Sequence, residues 1–182
     1  MMDYLRNNLG KSFQLSPLRA PLRAWAVLPL FLLFAAAVGF GSGILALQPL
    51  DSKIAPLLPL TLFIFPALLE EAFFRGILIP RDIIESGAPG ALRAVILSTL
   101  LFVAWHPFNA LLFNHSAVPL FLDPWFLLIV SALGLACGYS YVVSRSIWLP
   151  VIIHWTTVTL WVLFLGGRNL LLEFQGSHAI AQ

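Results

Sequence analysis

Residues 57–80 read LLPLTLFIFPALLEEAFFRGILIP, and three ionisable residues, Glu70, Glu71 and Arg75, stand inside this otherwise apolar run. About 20 consecutive apolar residues are enough for a helix to cross the hydrocarbon core of a bilayer, so the run predicts a membrane span. Ionisable side chains at that depth cost roughly 2.5 kcal/mol or more each and are rare unless they are paired or functional. The acidic pair and the arginine are therefore the first candidates for a functional site.

The composition indicates a membrane protein rather than a soluble one. Of the 182 residues, 60% are hydrophobic and 10% are charged, whereas a soluble domain carries about 25% charged residues. This excess of apolar residues is too large for one soluble core and predicts a polytopic membrane protein. The net charge of +2 comes without a basic patch, which argues against nucleic-acid binding.

Five apolar windows, the run above included, are long enough to span a bilayer. They predict an all-α fold, a polytopic membrane helical bundle of about five to six transmembrane helices. Within the third window, Pro107 is expected to break the helix near its end. The windows are Trp25–Leu47, Leu57–Ile79, Ala94–Phe113, Trp125–Val143 and Ile147–Leu165. We divide the chain into an N-terminal segment (1–24), a transmembrane core (25–165) and a C-terminal tail (166–182).

The basic residues outside the windows are unevenly distributed between the two sides of the predicted bundle. One side holds only Lys53 and Arg168, whereas the other holds Arg6, Lys11, Arg19, Arg23, Arg81, Arg93 and Arg145. Because Lys and Arg collect in cytoplasmic loops, we expect the N-terminus to be cytoplasmic. We also expect an integral membrane protein surrounded by the lipid bilayer, and we assign it to a bacterial inner (plasma) membrane as a prediction.

The two adjacent glutamates have different prospects of finding a partner. Glu71 and Arg75 are four residues apart on one helix face, in the order that favours an ion pair. Glu70 is rotated by about 100° from Glu71 and does not share the arginine in the same way. A carboxylate left without a cation at this depth is a candidate general base. The alternative is a protonated Glu70 that is hydrogen-bonded to a backbone carbonyl of a neighbouring helix.

Two histidines lie inside other windows, His106 in the third and His154 in the fifth. Either one alone would more often be a hydrogen-bonded packing residue. Together with Glu70, they give three spans that each contribute a proton-handling group at interior depth, which is rare without a function. We therefore expect the three side chains to converge on one hydrated cavity.

These residues also stand in three short motifs. Glu70-Glu71-x-x-x-Arg75, Phe102-x-x-x-His106 and Trp148-Leu-Pro150-x-x-x-His154 follow one another along the chain. In order and spacing they resemble the motifs of the CAAX-protease and bacteriocin-processing (CPBP, or Abi) family of intramembrane proteases. The resemblance covers roughly Leu57 to Val158. It implies that residues 25–165 are the core of an intramembrane glutamic endopeptidase acting on membrane-anchored proteins or peptides.

The resemblance also implies a role for each polar residue. Glu70 would be the general base, acting on a water that it holds jointly with His106. His154 would donate a hydrogen bond to the developing oxyanion. Glu71 and Arg75 would support the site by holding the motif helix in place.

The chain departs from the family pattern at one position. The third motif usually ends in an Asn that is taken to help bind the oxyanion, and Val158 stands there instead. Thr157, which follows His154 by three residues on the same helix face, is a candidate hydroxyl donor in its place. The chain is also short for the family, which suggests substrates with a C-terminal sorting segment or processing of the prenyl type.

Other functions fit parts of the pattern. Glu70, His106 and His154 could hold zinc with an open fourth position, but no His-Glu-x-x-His motif is present, and we favour a metal-free site without a cofactor. A non-catalytic membrane partner or immunity protein of the same family is the second alternative. A transporter is disfavoured because the chain has no inverted repeat.

Overall fold

The computed structural model describes residues 2–85 and 87–167, and every regular element within these ranges is a helix. Four helices are long and apolar enough to cross a membrane, and a fifth, shorter apolar helix has 17 residues, the lower end of the spanning range. The predicted all-α polytopic bundle is therefore confirmed. The five are α1 (Leu22–Ser42), α2 (Ala55–Ile77), α3 (Ala88–Leu112), α4 (Pro124–Ser144) and α5 (Trp148–Phe164).

Shorter helices cover both ends of this bundle. Two of them, with a wide π turn between them at Arg6–Gly10, precede α1, one joins α2 to α3, and a helical loop joins α3 to α4. Their bounds are Met2–Leu5, Lys11–Gln14, Arg81–Glu85 and Val118–Phe121, with 3-10 turns at Pro17–Arg19 and His115–Ala117.

Helix α4 is the centre of the bundle and packs against α1, α3 and α5. Its two glycines allow the close approach to α3: a Cβ on Gly134 would lie 2.7 Å from Thr99, and one on Gly138 would lie 2.7 Å from Val95. Small residues are common where helices meet in membranes because they let the backbones approach closely, and van der Waals packing then drives association. By contrast, large apolar side chains such as Leu30, 66% exposed, face outward, as expected of a surface in contact with lipid.

The helix that is interrupted next to a proline is not the one predicted. Helix α3 runs unbroken through Pro107 to its end, so the predicted break there is wrong. Spanning helices tolerate proline because neighbouring helices and side chains satisfy the freed backbone groups. The helical path is interrupted in α2 instead, where Phe65 has φ −133° and ψ 119°. Phe65 precedes Pro66, and a residue before proline is biased away from the α conformation.

The N-terminal segment folds back onto one end of the bundle. The side-chain amide of Asn8 donates to the carbonyls of Gly76 and Ile79, both at 3.3 Å, and its oxygen accepts the N–H of Arg81 at 2.8 Å. Asn8 is 4% exposed. These bonds satisfy backbone groups at the end of α2 and just beyond it, which water or a capping side chain would otherwise have to satisfy.

The opposite end is held by the loop between α1 and α2. The N–H groups of Gln48 and Leu50 donate to the carbonyls of Phe164 and Leu163 at 3.0 and 2.8 Å. This loop therefore lies against the end of α5. Most of the C-terminal tail assigned from the sequence, from residue 168 onward, lies outside the described residues.

We predict that Asn8→Ala destabilises the fold. Its loss leaves two carbonyls and one N–H without a partner in a buried place, at a cost of about 1–3 kcal/mol. Thermal unfolding in detergent should show a lower midpoint for this variant. The exposed neighbour Asn7 is the matched control, and an Asn7→Ala variant that loses as much stability would contradict the assignment.

Candidate active site

The ion pair of α2 is completely buried. Arg75 Nη1 donates to Glu71 Oε1 at 3.1 Å, and Arg75 Nε lies 3.1 Å from Glu71 Oε2, with both side chains 0% exposed. The guanidinium also donates to the carbonyl of Gly134 on α4 at 3.0 Å. Its carbon lies 4.5 Å from the centre of the Phe102 ring on α3, within cation–π range. One arginine thus joins α2, α3 and α4.

Local helix geometry places the two glutamates on different sides of α2. They lie in one α-helical turn, Leu69–Glu71, between wider π turns at Phe63–Leu68 and Ala72–Ile77. Such wide turns are rare and frequently accompany functional sites. Glu71 points into the bundle and is fully buried, whereas the Glu70 side chain is 12% exposed.

Glu70 has a hydrogen-bond partner that the sequence analysis missed. The indole Nε1–H of Trp105 donates to Glu70 Oε1 at 3.2 Å. An indole N–H can only donate, so Glu70 Oε1 is the acceptor in this bond. The sequence does contain a signal for this bond. A buried tryptophan usually needs an acceptor for its N–H, and Trp105 directly precedes His106.

His154 lies between the two glutamates. Its Nδ1 is 2.9 Å from Glu71 Oε1, and its Nε2 is 4.0 Å from Glu70 Oε2. Because the Glu71 carboxylate is paired with Arg75, the Nδ1–H of His154 is the donor in the short contact. From the sequence, Glu71 is expected to pair with Arg75 alone, and this bond from α5 to α2 is not predicted.

His106 is oriented by its own helix. Its Nδ1 lies 2.9 Å from the carbonyl oxygen of Phe102. A carbonyl can only accept, so Nδ1 carries the proton and Nε2 is the nitrogen left for other partners. The Phe102 ring stands edge-on to both histidines, with centroid distances of 5.0 Å to His106 and 5.7 Å to His154. This ring fixes the spacing of the two imidazoles.

The structure brings the three predicted catalytic residues to one cavity. Glu70, His106 and His154 all line a cavity of about 520 Å³ with largely apolar walls. Thr157 and Val158 line it too. The Thr157 hydroxyl, however, donates to the carbonyl of Ile153 at 2.8 Å, so its proton is already used within α5.

The zinc alternative would need Glu70, His106 and His154 as ligands of one ion. Among the described residues, no group of three or more His, Cys, Asp or Glu is placed to hold a metal. Glu70 Oε2 and His154 Nε2 are 4.0 Å apart, and these two residues form no such group with His106.

Taken together, the apolar helical bundle and a cavity lined by a glutamate and two histidines define an integral membrane protein with a candidate active site. The model of one protein family, described as Type II CAAX prenyl endopeptidase Rce1-like, matches residues 52–160. The match covers more than half of the chain, and the chain belongs to this family, as the three motifs predict. No curated protein and no solved structure matches the chain. Family membership supports a hydrolase, an endopeptidase of the membrane.

We predict that Arg75→Met is strongly destabilising, by about 3–5 kcal/mol, because it leaves the buried Glu71 carboxylate without its cation. The measurement is thermal unfolding in detergent. Arg93→Met is the matched control, since Arg93 is exposed on α3 and its loss should change little. Equal stability of the two variants would show that the buried pair does not support the fold.

Proposed function

We propose that this protein is an intramembrane endopeptidase that cleaves membrane-associated proteins with a water activated by Glu70. The observation that carries the proposal is the difference between the two glutamates. Glu71 is fully buried and paired with Arg75, whereas Glu70 reaches the cavity, 4.0 Å from His154 Nε2. Glu71 thus serves the fold, whereas Glu70, whose Oε1 accepts from Trp105, keeps Oε2 for chemistry.

In the first step, Glu70 takes a proton from a water that it holds together with His106. The oxygen of that water attacks the carbonyl carbon of the scissile peptide bond. His106 is suited to help position the water, because its Nδ1–H is bound to Phe102 and its Nε2 is left as an acceptor. A positioned general base contributes typically about 10²–10⁴-fold to a rate.

In the second step, the tetrahedral oxyanion needs a donor, and we assign this role to His154. For this step His154 acts as the imidazolium, the form in which both ring nitrogens donate: its Nδ1–H donates to Glu71 and orients the ring, and its Nε2–H donates to the oxyanion. A donor of this kind is worth about 3–4 kcal/mol in well-formed sites. When the C–N bond breaks, Glu70 returns the first proton to the leaving amine, and the second proton of the water stays on the oxygen of the new carboxyl group.

The Glu71–Arg75 pair acts as a positioning element in this mechanism. It holds α2 against α3 and α4 and orients His154, but it touches neither the water nor the peptide bond. Site geometry that is locked by packing and supporting hydrogen bonds avoids reorganisation during the reaction. The substrate class follows from the family resemblance: a protein with a C-terminal sorting segment, or one processed in the prenyl manner.

A non-catalytic membrane partner or immunity protein is the alternative function. The observation that favours it is Val158, an apolar residue that lines the cavity where the family carries an amide. Thr157 is not a direct substitute for that amide, because its hydroxyl already donates to the carbonyl of Ile153. A partner protein would keep the fold and the cavity without any need for the Glu70 carboxylate.

We predict that Glu70→Gln lowers peptide cleavage by about 100-fold or more, because the amide cannot accept the proton of water. The assay uses purified protein in proteoliposomes with a library of single-span membrane peptides. Asp51→Asn, which changes an exposed carboxylate in the α1–α2 loop, is the control and should cleave at the wild-type rate. A fully active Glu70→Gln variant would remove the proposal.

The same assay with a zinc chelator separates the metal-free mechanism from the zinc alternative. Cleavage that resists the chelator and needs Glu70 supports the glutamic mechanism. Cleavage lost with the chelator and restored by zinc would make Glu70, His106 and His154 metal ligands instead. If correctly folded wild-type protein cleaves none of the peptides, the result favours the non-catalytic partner function over the protease function.

We predict that Trp105→Phe slows cleavage by about tenfold, since a hydrogen bond to a charged group is worth about 1.5–3 kcal/mol. The ring remains, but the N–H that holds Glu70 is lost, so the effect should fall on kcat more than on KM. Trp125→Phe, at an exposed tryptophan of α4, is the matched control. Identical kcat values for both variants would exclude Trp105 as a positioning residue.

A further inference from the structure

The active-site cavity extends toward one end of the bundle only. On α2 its lining residues run from Glu70 back to Leu58, and on α5 they run from His154 forward to Trp161 and Val162. The α1–α2 loop and the α3–α4 loop complete the wall through residues such as Leu45 and Asn114. None of the described residues 2–21 lines it. The catalytic groups are therefore the deep end of a cavity whose other end lies between these loops.

The other end of the bundle is closed by the N-terminal segment. The Leu9 side chain occupies the space beside Gly76, where a Cβ would collide with it. Ser12, fully buried, accepts the N–H of Ile147 at 3.1 Å through its carbonyl. Phe13 packs edge-on against Trp148 with 5.3 Å between the ring centroids.

Hydrogen bonds as well as apolar contacts hold the N-terminal segment against this end of the bundle, and we call residues 2–21 the plug. Asn8 satisfies backbone groups at the end of α2, Ser146 Oγ donates to the carbonyl of Leu15 at 2.6 Å, and Trp148 Nε1 donates to that of Phe13 at 2.8 Å. Each bond would have to break before a substrate could pass, and buried groups without partners are costly.

The plugged end is also the basic end. Its loops and its N-terminal segment carry Arg81, Arg145 and the basic residues before α1, whereas the described loops at the open end carry Asp51, Lys53 and Asp123. By the positive-inside rule, the plugged end faces the cytoplasm and the cavity opens on the other side of the membrane.

We propose that the substrate reaches Glu70 from the extracytoplasmic side, and that it enters as a short extended segment next to its own membrane span. The proposal rests on the endopeptidase function given above. The cavity of about 520 Å³ is of the size of ordinary ligand pockets, roughly 300–1,000 Å³. Such a pocket suits a short extended segment of a peptide.

This access route separates the two substrate classes. A sorting segment consists of a short motif, a membrane helix and a basic end. Its basic end stays in the cytoplasm, so its motif lies outside, in front of the open end of the cavity. A prenylated C-terminus lies on the cytoplasmic side, where the plug stands. The structure therefore favours a protein with a C-terminal sorting segment.

The test measures from which side of the membrane the site can be reached, independently of cleavage. Cys137 is fully buried and is replaced by Ala to give a background without cysteine. Val158→Cys then reports the deep cavity, and Leu45→Cys reports its mouth. Lys11→Cys marks the plugged end and Lys53→Cys the open end; both lysines are exposed. A small, charged, membrane-impermeant methanethiosulfonate is added to right-side-out and to inverted vesicles.

We expect Val158→Cys and Leu45→Cys to react in the vesicles where Lys53→Cys reacts, and to stay unmodified where only Lys11→Cys reacts. Modification of Val158→Cys from the Lys11 side would overturn the proposal, as would its failure to react from either side while Leu45→Cys and Lys53→Cys both react. Lys11→Cys must react from the cytoplasmic side, and the opposite result would place the cavity opening in the cytoplasm. Because no substrate is used, these outcomes are distinct from a failure of the Glu70→Gln test.

Discussion

A charge buried in an apolar bundle must be paired, and in this protein the pairing of Glu71 with Arg75 governs the positions of the other parts. Both side chains are 0% exposed, and removing either partner would leave an uncompensated charge in a low-dielectric interior. The arginine reaches the Gly134 carbonyl on α4 and the Phe102 ring on α3. The carboxylate reaches His154 on α5. A single ion pair therefore sets the relative placement of four helices.

As a consequence, the two neighbouring carboxylates have different roles in the site. Because Glu71 is committed to Arg75 and His154, Glu70 on the adjacent helix position is directed to the cavity and held there by Trp105. The same bond to Glu71 orients the His154 ring and leaves Nε2 on the Glu70 side. The structural pair and the proposed catalytic pair thus share one histidine, and stability and chemistry depend on the same contacts.

The two ends of the bundle have opposite properties for a related reason. At the basic end, buried polar side chains of the N-terminal segment satisfy the backbone beyond α2 and beside the start of α5. At the other end, the break of α2 at Phe65 and the loops around it leave space, and Phe65 itself lines the cavity. The proposed endopeptidase needs one open route for water and peptide, and a closed opposite end would prevent leakage across the bilayer.

The sequence by itself determined the class of fold, because apolar windows of spanning length have few alternatives to helices in a bilayer. It also determined the Glu71–Arg75 pair, which is a local i, i+4 contact, and the motifs that identify the family. Only the tertiary structure decided that His154 binds Glu71, that Trp105 holds Glu70, that α3 continues through Pro107 while α2 breaks before Pro66, and that the N-terminal segment is a plug. These features join residues far apart in the chain or depend on which neighbours satisfy a freed backbone group. Periodicity and spacing report only local geometry, so they carry no information on such contacts.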